Sequence, residues 1–251
     1  MRLKDSFKRV GAIYQSSRRG YPKKLISELI KSSDLSEKSL ILDIGCGTGK
    51  STLPFASSGA KIIGVDISTK MIKESKKLLS NYPRASFMVS SFEKATLPKG
   101  SFDLIVSGTA FHWMKRKTAY KKIYNLLNNG GTFALFWGSG IEKPDRLLSA
   151  LKKTFIKNAP DYPVDFGKLE KVFLPEIKKS KLFKNIKIRK YFITEKYSKA
   201  MFLRLVETYA WVIPMNKKSK ATLFCELKKV LEDFRSPLLL HREYKLIIAK
   251  K

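Results

Sequence analysis

The stretch Ser39–Gly49, Ser-Leu-Ile-Leu-Asp-Ile-Gly-Cys-Gly-Thr-Gly, limits most sharply what this chain can fold into. Leu40, Ile41, Leu42 and Ile44 form a short apolar run, which predicts a strand buried on both faces. Gly45, Gly47 and Gly49 then put three positions without side chains into five residues, so the backbone can turn sharply and a ligand can lie close to it. Helix-like sequence resumes at Lys50. Strand, glycine loop and helix start together describe the binding crevice of a doubly wound α/β sheet. The spacing is Gly-x-Gly-x-Gly, not the Gly-x-Gly-x-x-Gly that presents a helix N-terminus to a pyrophosphate. Asp43, inside the strand end, suits a cationic or amino-bearing ligand better than a phosphate. A second apolar strand, Lys61-Ile-Ile-Gly-Val-Asp66, ends in an acid about 20 residues further on, where a ribose diol is usually held.

The alternating pattern continues on both sides. Residues 1–38 read as helical, with Leu25, Ile26, Leu29 and Ile30 at helical spacing and Pro22 suited to a helix start. A short helix is expected over Ser51–Ser58 and a strand over Ala60–Val65. Ser68 is a good N-cap for a helix over Thr69–Ser80, to which Met71, Ile72 and Leu78 give an apolar face. Ala85–Val89 and Ser101–Gly108 read as the third and fourth strands. Thr109-Ala-Phe-His-Trp113 follows the fourth strand at its ligand end. An imidazole and an indole together there either line a substrate pocket or form a core histidine site with a satisfied partner.

Leu42-Asp-Ile-Gly-Cys-Gly-Thr-Gly49 resembles the first motif of class I S-adenosylmethionine (SAM)-dependent methyltransferases, and Gly64-Val-Asp-Ile-Ser68 resembles their second. The Phe111-His-Trp113 signature resembles the trans-aconitate methyltransferase-like branch of the type 11 methyltransferase domain. The likeness extends through a helix over Lys115–Leu127, a Gly130-Gly131 turn and a strand over Thr132–Phe136 ending in Trp137. It implies an α/β, Rossmann-like, doubly wound seven-stranded sheet whose last strand is antiparallel, with a helical lid from the N-terminus and from residues 141–236. In that layout 1–251 is one domain: a lid over 1–38, a SAM-binding core over 39–140, and a helical cap with the last two strands over 141–251.

The resemblance also implies site residues. Asp43, Gly45, Gly47, Thr48 and Gly49 would hold the methionine end, with the carbonyls of Gly45 and Gly108 taking its ammonium and Thr109 beside them. Asp66 would hold the ribose hydroxyls, and Ile67 and Met71 would lie against the adenine, although Met71 suits the core equally well. Ser90-Ser-Phe-Glu93 falls where the family often has Gly-Asp-Ala-Glu, so Ser91 replaces the acid that meets the adenine amino group. Ser91 can still accept one hydrogen bond, and Phe92 can cover the ring. Arg18-Arg-Gly-Tyr-Pro22 resembles the Arg-Pro-x-Tyr-Pro element of an N-terminal lid, with Arg19 where proline is usual. That likeness makes Tyr14 a cofactor contact and Arg18 and Tyr21 substrate contacts. His112, Trp113 and Trp137 would line the acceptor pocket, and Tyr209 and Trp211 its roof, although aromatics at this spacing are more often core. His112 is the candidate base for a hydroxyl acceptor; a carboxylate acceptor needs none.

Beyond Gly140 the α/β pattern stops. Residues 141–180 read as helices and loops broken by Pro144, Pro160, Pro163 and Pro175. An edge or outer strand is expected over Ile186–Ile193, helices over Tyr197–Trp211 and Ala221–Phe234, and a final strand over Arg242–Ala249. Two cysteines, Cys46 and Cys225, form neither a disulfide framework nor a metal spacing. A reducing cytoplasm is the default location, and the chain is expected as a monomer or homodimer. No run of 18 apolar residues predicts a membrane span. The net charge is +30, from 51 basic residues against 21 acids. It is spread along the chain and densest between Lys168 and Lys199, so it reflects either lysine-rich composition or an acidic partner such as RNA, a membrane surface or a carrier protein. Three functions fit: a methyltransferase moving the SAM methyl to a small-molecule oxygen or nitrogen, a carboxylate among them, and releasing S-adenosylhomocysteine (SAH); a methyltransferase acting on RNA or another macromolecule; and a non-enzymatic SAM or SAH binder.

Overall fold

A computed structural model describes residues 11–140, 145–162 and 168–251. The apolar runs become a seven-stranded sheet in the order β3-β2-β1-β4-β5-β7-β6. Its strands are β1 (Leu40–Ile44), β2 (Lys61–Asp66), β3 (Ala85–Val89), β4 (Phe102–Gly108), β5 (Leu127–Gly140), β6 (Lys184–Tyr197) and β7 (Leu238–Lys250). Strands β1 to β5 run parallel, and β7 inserts antiparallel between β5 and β6. Asp43 pairs with Gly64 on one side and Val106 on the other. This register brings the ends of β1, β2 and β4 to one edge of the sheet, where strand order reverses and ligands bind.

Both faces of the sheet are covered. On one, Ile41, Leu104, Val106, Ala134 and Phe136 pack against Leu25, Leu29 and Phe55 of α2 (Lys23–Ser32) and α3 (Leu53–Ala56). On the other, Leu42, Ile44, Ile105, Phe133 and Leu135 pack against Tyr120 and Ile123 of α5 (Arg116–Leu126) and Phe173 and Ile177 of α7 (Glu170–Ser180). A third apolar cluster joins α6 (Arg146–Asn158), α8 (Lys199–Glu207) and α9 (Lys217–Glu232) through Leu151, Phe155, Val206, Leu223 and Leu227. Among the described residues no helix is long and apolar enough to cross a membrane.

Capping is as the sequence suggests at Ser68, whose hydroxyl accepts from the Met71 N–H at the start of α4 (Thr69–Leu78). Several expectations need correction. Gly130-Gly131 is not a turn between elements: β5 starts at Leu127 and bulges there, its pairing with β4 jumping from Phe102↔Leu127 to Leu104↔Thr132. Pro175 does not break a helix but sits inside α7, where the burial of Phe173 and Ile177 on either side offsets the lost backbone bond. The helix expected over Tyr197–Trp211 stops at Glu207, because Thr208 turns its hydroxyl back to the Leu205 carbonyl. Pro144 and Pro163 lie outside the described residues.

One lysine shapes the site indirectly. The Lys122 ammonium, on α5, donates to the carbonyls of Phe92 (2.6 Å), Glu93 (3.3 Å) and Ala95 (2.7 Å) and lies 4.9 Å from the centroid of the Phe92 ring. These contacts pin the turn after β3. Lys122→Met leaves three carbonyls without that donor, so it should lower stability by about 1–3 kcal/mol in urea unfolding.

Candidate active site

The glycine loop leaves β1 between two carboxylates. Asp43 is buried (1% exposed), and its Oδ2 accepts from the hydroxyls of Ser51 and Thr52, both at 2.7 Å. Its Oδ1 has no partner among the described residues, and neither has the buried Thr48 hydroxyl. Burial pushes the Asp43 carboxyl up to about 6, against the two hydroxyl bonds, and the nearby Asp66 charge adds to the rise. Asp66 closes the other side: its Oδ2 accepts from the Gly47 N–H (3.0 Å) and its Oδ1 from the Ser68 N–H (2.8 Å). Burial raises its pKa too, and these backbone donors oppose the rise.

The three glycines have different reasons. A Cβ on Gly45 would sit 2.4 Å from the Ala110 Cβ, so the loops after β1 and β4 touch there. Gly49 faces the end of helix α4, where a Cβ would meet Leu79 at 2.7 Å, so packing also requires a residue without a side chain there. Gly47, at φ +54°, has nothing within 4 Å of an added Cβ. There the backbone is left open beside an unpartnered carboxylate oxygen and hydroxyl. An amino-bearing group is the chemistry that such orphaned, buried acceptors fit.

The other predicted residues divide into those that reach this edge and those that pack elsewhere. Ile67 is half-buried beside Asp66, but Met71 is buried (3% exposed), and its place is the core. Ser91 accepts from the Lys94 N–H and caps the turn after β3. The Phe92 ring is 2% exposed in the core under Lys122, so it does not cover a ligand. Tyr21 reaches the end of β4: its hydroxyl lies 3.1 Å from that of Thr109, and it covers Gly108 so closely that a Cβ there would meet it at 2.7 Å. Thr109 holds a left-handed backbone (φ 56°), a conformation that costs a threonine energy and that the Tyr21 contact helps to hold.

His112 and Trp113 lie in a 3-10 turn, Phe111–Trp113, with their rings 4.5 Å apart. Burial lowers the His112 pKa to about 4, and Arg116 adds to the fall. This corrects the expectation of a base with a near-neutral pKa: the imidazole is uncharged at pH 7. A cavity of about 10 Å³ lies beside it, lined by Ser107, Thr109, Trp137, Leu169 and Phe173 among others. It holds no more than a water. Trp137 is 1% exposed and packs edge-on against Phe173, so it is a core residue in the first place. Its indole N–H has no partner among the described residues.

The roof residues are corrected further. Trp211 is 7% exposed, packed with Phe155 and Tyr162 inside the roof. Arg18 is engaged by the roof. It donates to the Thr208 hydroxyl (2.8 Å) and carbonyl (3.2 Å), and its guanidinium lies against the rings of Tyr14 (5.1 Å) and Tyr209 (4.9 Å). Helix α1 (Gly11–Ser17) is thereby tied to the end of α8. Sequence reasoning missed Ser51, Thr52, Glu195, Tyr197 and Arg242. The hydroxyls directly after the loop were legible as partners for Asp43, whereas Glu195 and Arg242 meet only through the β6–β7 register.

Residues 42–135 match the family described as a methyltransferase domain. The chain is 29% identical over 238 residues to an uncharacterised methyltransferase of Schizosaccharomyces pombe, covering 90% of this chain and 87% of that one. A second relative, described as a "probable S-adenosylmethionine-dependent methyltransferase" of Saccharomyces cerevisiae, is 32% identical over 130 residues, 50% of this chain and 44% of that protein. The fold is similar to that of a protein classed as a type II methyltransferase from Anaeromyxobacter dehalogenans, with a TM-score of 0.70 at 19% identity over 93% of this chain and 97% of the other.

The Asp43 carboxyl gives a stability test with a definite sign. Its native pKa, about 6, stands above the unfolded value near 4, so the native state holds the proton more tightly between those limits. Wild type should therefore lose stability relative to Asp43→Asn as pH rises from about 4 to 6, by on the order of 2 kcal/mol. Urea unfolding of both proteins at pH 4.5 and 6.5 checks it.

Proposed function

We propose that this S-adenosylmethionine-dependent methyltransferase passes the methyl group of SAM directly to an oxygen or nitrogen of a small-molecule acceptor. The observation that supports this best is the pair of acids at the open glycine loop, the buried Asp43 with an unpartnered oxygen and the half-buried Asp66 bonded to the Gly47 N–H. Bound SAM supplies the electrophilic sulfonium methyl, which needs no protein nucleophile. This chain's residues bind, orient and exclude water.

In this reading Asp43, ionised once an ammonium stands near it, favours the methionine end through the loop. Asp66 takes the ribose hydroxyls, sharing its oxygens with the Gly47 and Ser68 donors. Ile67 and the backbone at Ser91 and Phe92 flank the adenine. Tyr21 and Thr109 close the Gly108 end, which keeps water from the reacting methyl. Such positioning turns a bimolecular displacement into an effectively unimolecular one and supplies much of the rate. His112, uncharged at neutral pH, is suited to accept a hydrogen bond from the acceptor and orient it; a group with a pKa of about 4 is a poor sink for a hydroxyl proton.

Thermal unfolding tests the cofactor. SAM and SAH should each raise Tm while NAD does not, because a ligand that binds only the native state stabilises it by mass action. Asp66→Ala should weaken SAH binding by about 1 kcal/mol or more by calorimetry, the scale of hydrogen bonds to a charged group. Unchanged affinity would remove Asp66 from the site. For His112, the rate of SAM turnover should show no inflection between pH 6 and 8 that His112→Gln abolishes; such an inflection would restore the general-base role.

A further inference from the structure

Three guanidiniums surround two tyrosines at the ligand edge of the sheet. Arg19 lies 5.3 Å from the centroid of the Tyr197 ring and donates to the Lys196 carbonyl. Arg18 lies over the Tyr209 ring, as described. Arg242, from β7, adjoins the Tyr209 hydroxyl and reaches Glu195 at 3.5 Å through Nε. Among the described residues Glu195 is the acid paired with this group, and it is already well used: Tyr244 donates to its Oε1 and Tyr197 to its Oε2, each at 2.9 Å. Lys50, the residue after the glycine loop, is half-buried nearby, and Arg19 pushes its pKa down further after burial has done so.

The group is joined to the reaction edge. Tyr244 lies 6.0 Å from Tyr21, ring to ring, and Tyr21 covers Gly108 and touches Thr109. The register places Arg242 opposite Gly140, at the end of β5. Arg242 keeps 21% of its side chain exposed, and Arg19 is exposed. So the group is reachable from solvent at Arg19 and Arg242, stands against aromatic rings, and carries at least two more positive charges than negative ones. Gathering like charges in a partly buried place costs energy unless an anion joins them, and a guanidinium fork is the group that binds an oxyanion with two parallel bonds. A cationic amine would be repelled both by these arginines and by a bound sulfonium.

We infer that Arg242 and Arg19 form an anion subsite, and that the methyl acceptor carries an oxyanion, a carboxylate or a phosphate, which they hold beside Tyr197 and Tyr209. The subsite deepens the proposed function and rests on it. The anchored group and the methylated atom need not be the same.

The test uses the full chain loaded with SAH and three probes that share an aromatic body: phenylacetate, phenyl phosphate and neutral phenylacetamide. Binding is read by ligand-observed NMR titration. One or both anions should bind at least tenfold more tightly than the amide, and the tighter of the two identifies carboxylate or phosphate. Arg19→Gln should reduce the anion's advantage several-fold. Arg242→Gln should remove it; because that variant strands Glu195, the paired Arg242→Gln, Glu195→Gln variant is measured as well, with SAH affinity as the check that the cofactor site is intact. Anions that bind wild type no better than the amide, or an advantage that survives all the variants, would overturn the subsite. Failure of SAH itself to bind would instead overturn the cofactor reading, and the same titrations without SAH would still decide the subsite.

Discussion

Two carboxylates hold the glycine loop from opposite sides, and the rest of the site takes its positions from that grip. Asp43 reaches forward to Ser51 and Thr52, beyond the loop, and Asp66 reaches across from the next strand to the Gly47 N–H. Without these bonds a stretch with three glycines in five residues would have many conformations of similar energy. With them, the loop carries both strand ends into register with helix α4, whose Leu79 then fits against Gly49. The loop's rigidity is thus a consequence of hydrogen bonds to two acids that burial would rather see protonated. A positively charged partner would relieve that cost, which is one reason to read the loop as prepared for a ligand.

The long β6–β7 pair does a second job. By running antiparallel into the space beside β5, β7 delivers Arg242 and Tyr244 to the ligand edge, while β6 delivers Glu195 and Tyr197. Neither strand belongs to the stretch matched by the methyltransferase domain family, which ends at residue 135. The matched stretch therefore holds the loop between two acids, and the strands after it supply the aromatic and charged residues beside the same end of the sheet. A fold of this kind can keep one cofactor chemistry while its other wall changes.

Strands β1 to β4 were legible in the sequence to within about a residue at each end, because short apolar-rich runs bounded by turn residues mark them, as at the buried Leu40–Ile44 and at Ala85–Val89, a largely exposed strand on the sheet's other border. The acids at the strand ends were legible for the same reason: a charge closing an apolar run stands out. What escaped depended on contacts distant in the chain. Trp211 read as a roof residue open to substrate, but its partners Phe155 and Tyr162 come from another segment altogether. Phe92 read as a ligand cover until Lys122, 30 positions later, claimed its ring. The fall of the His112 pKa is likewise an effect of burial that no local spacing announces.

Strand β6 ends the sheet, and its outer rim is exposed: Phe192 is 63% open to solvent. An edge strand of 14 residues would ordinarily invite a second molecule to add to the sheet, and here side chains already take the carbonyls of Ile188 and Lys196. Lys184, Lys187 and Lys196 are exposed along that strand, while Arg189 and Lys190 pair with Glu28 and Glu243, so two such edges approaching each other would meet with a surplus of like charges. Positive charge along an edge strand disfavours pairing of one such edge with another.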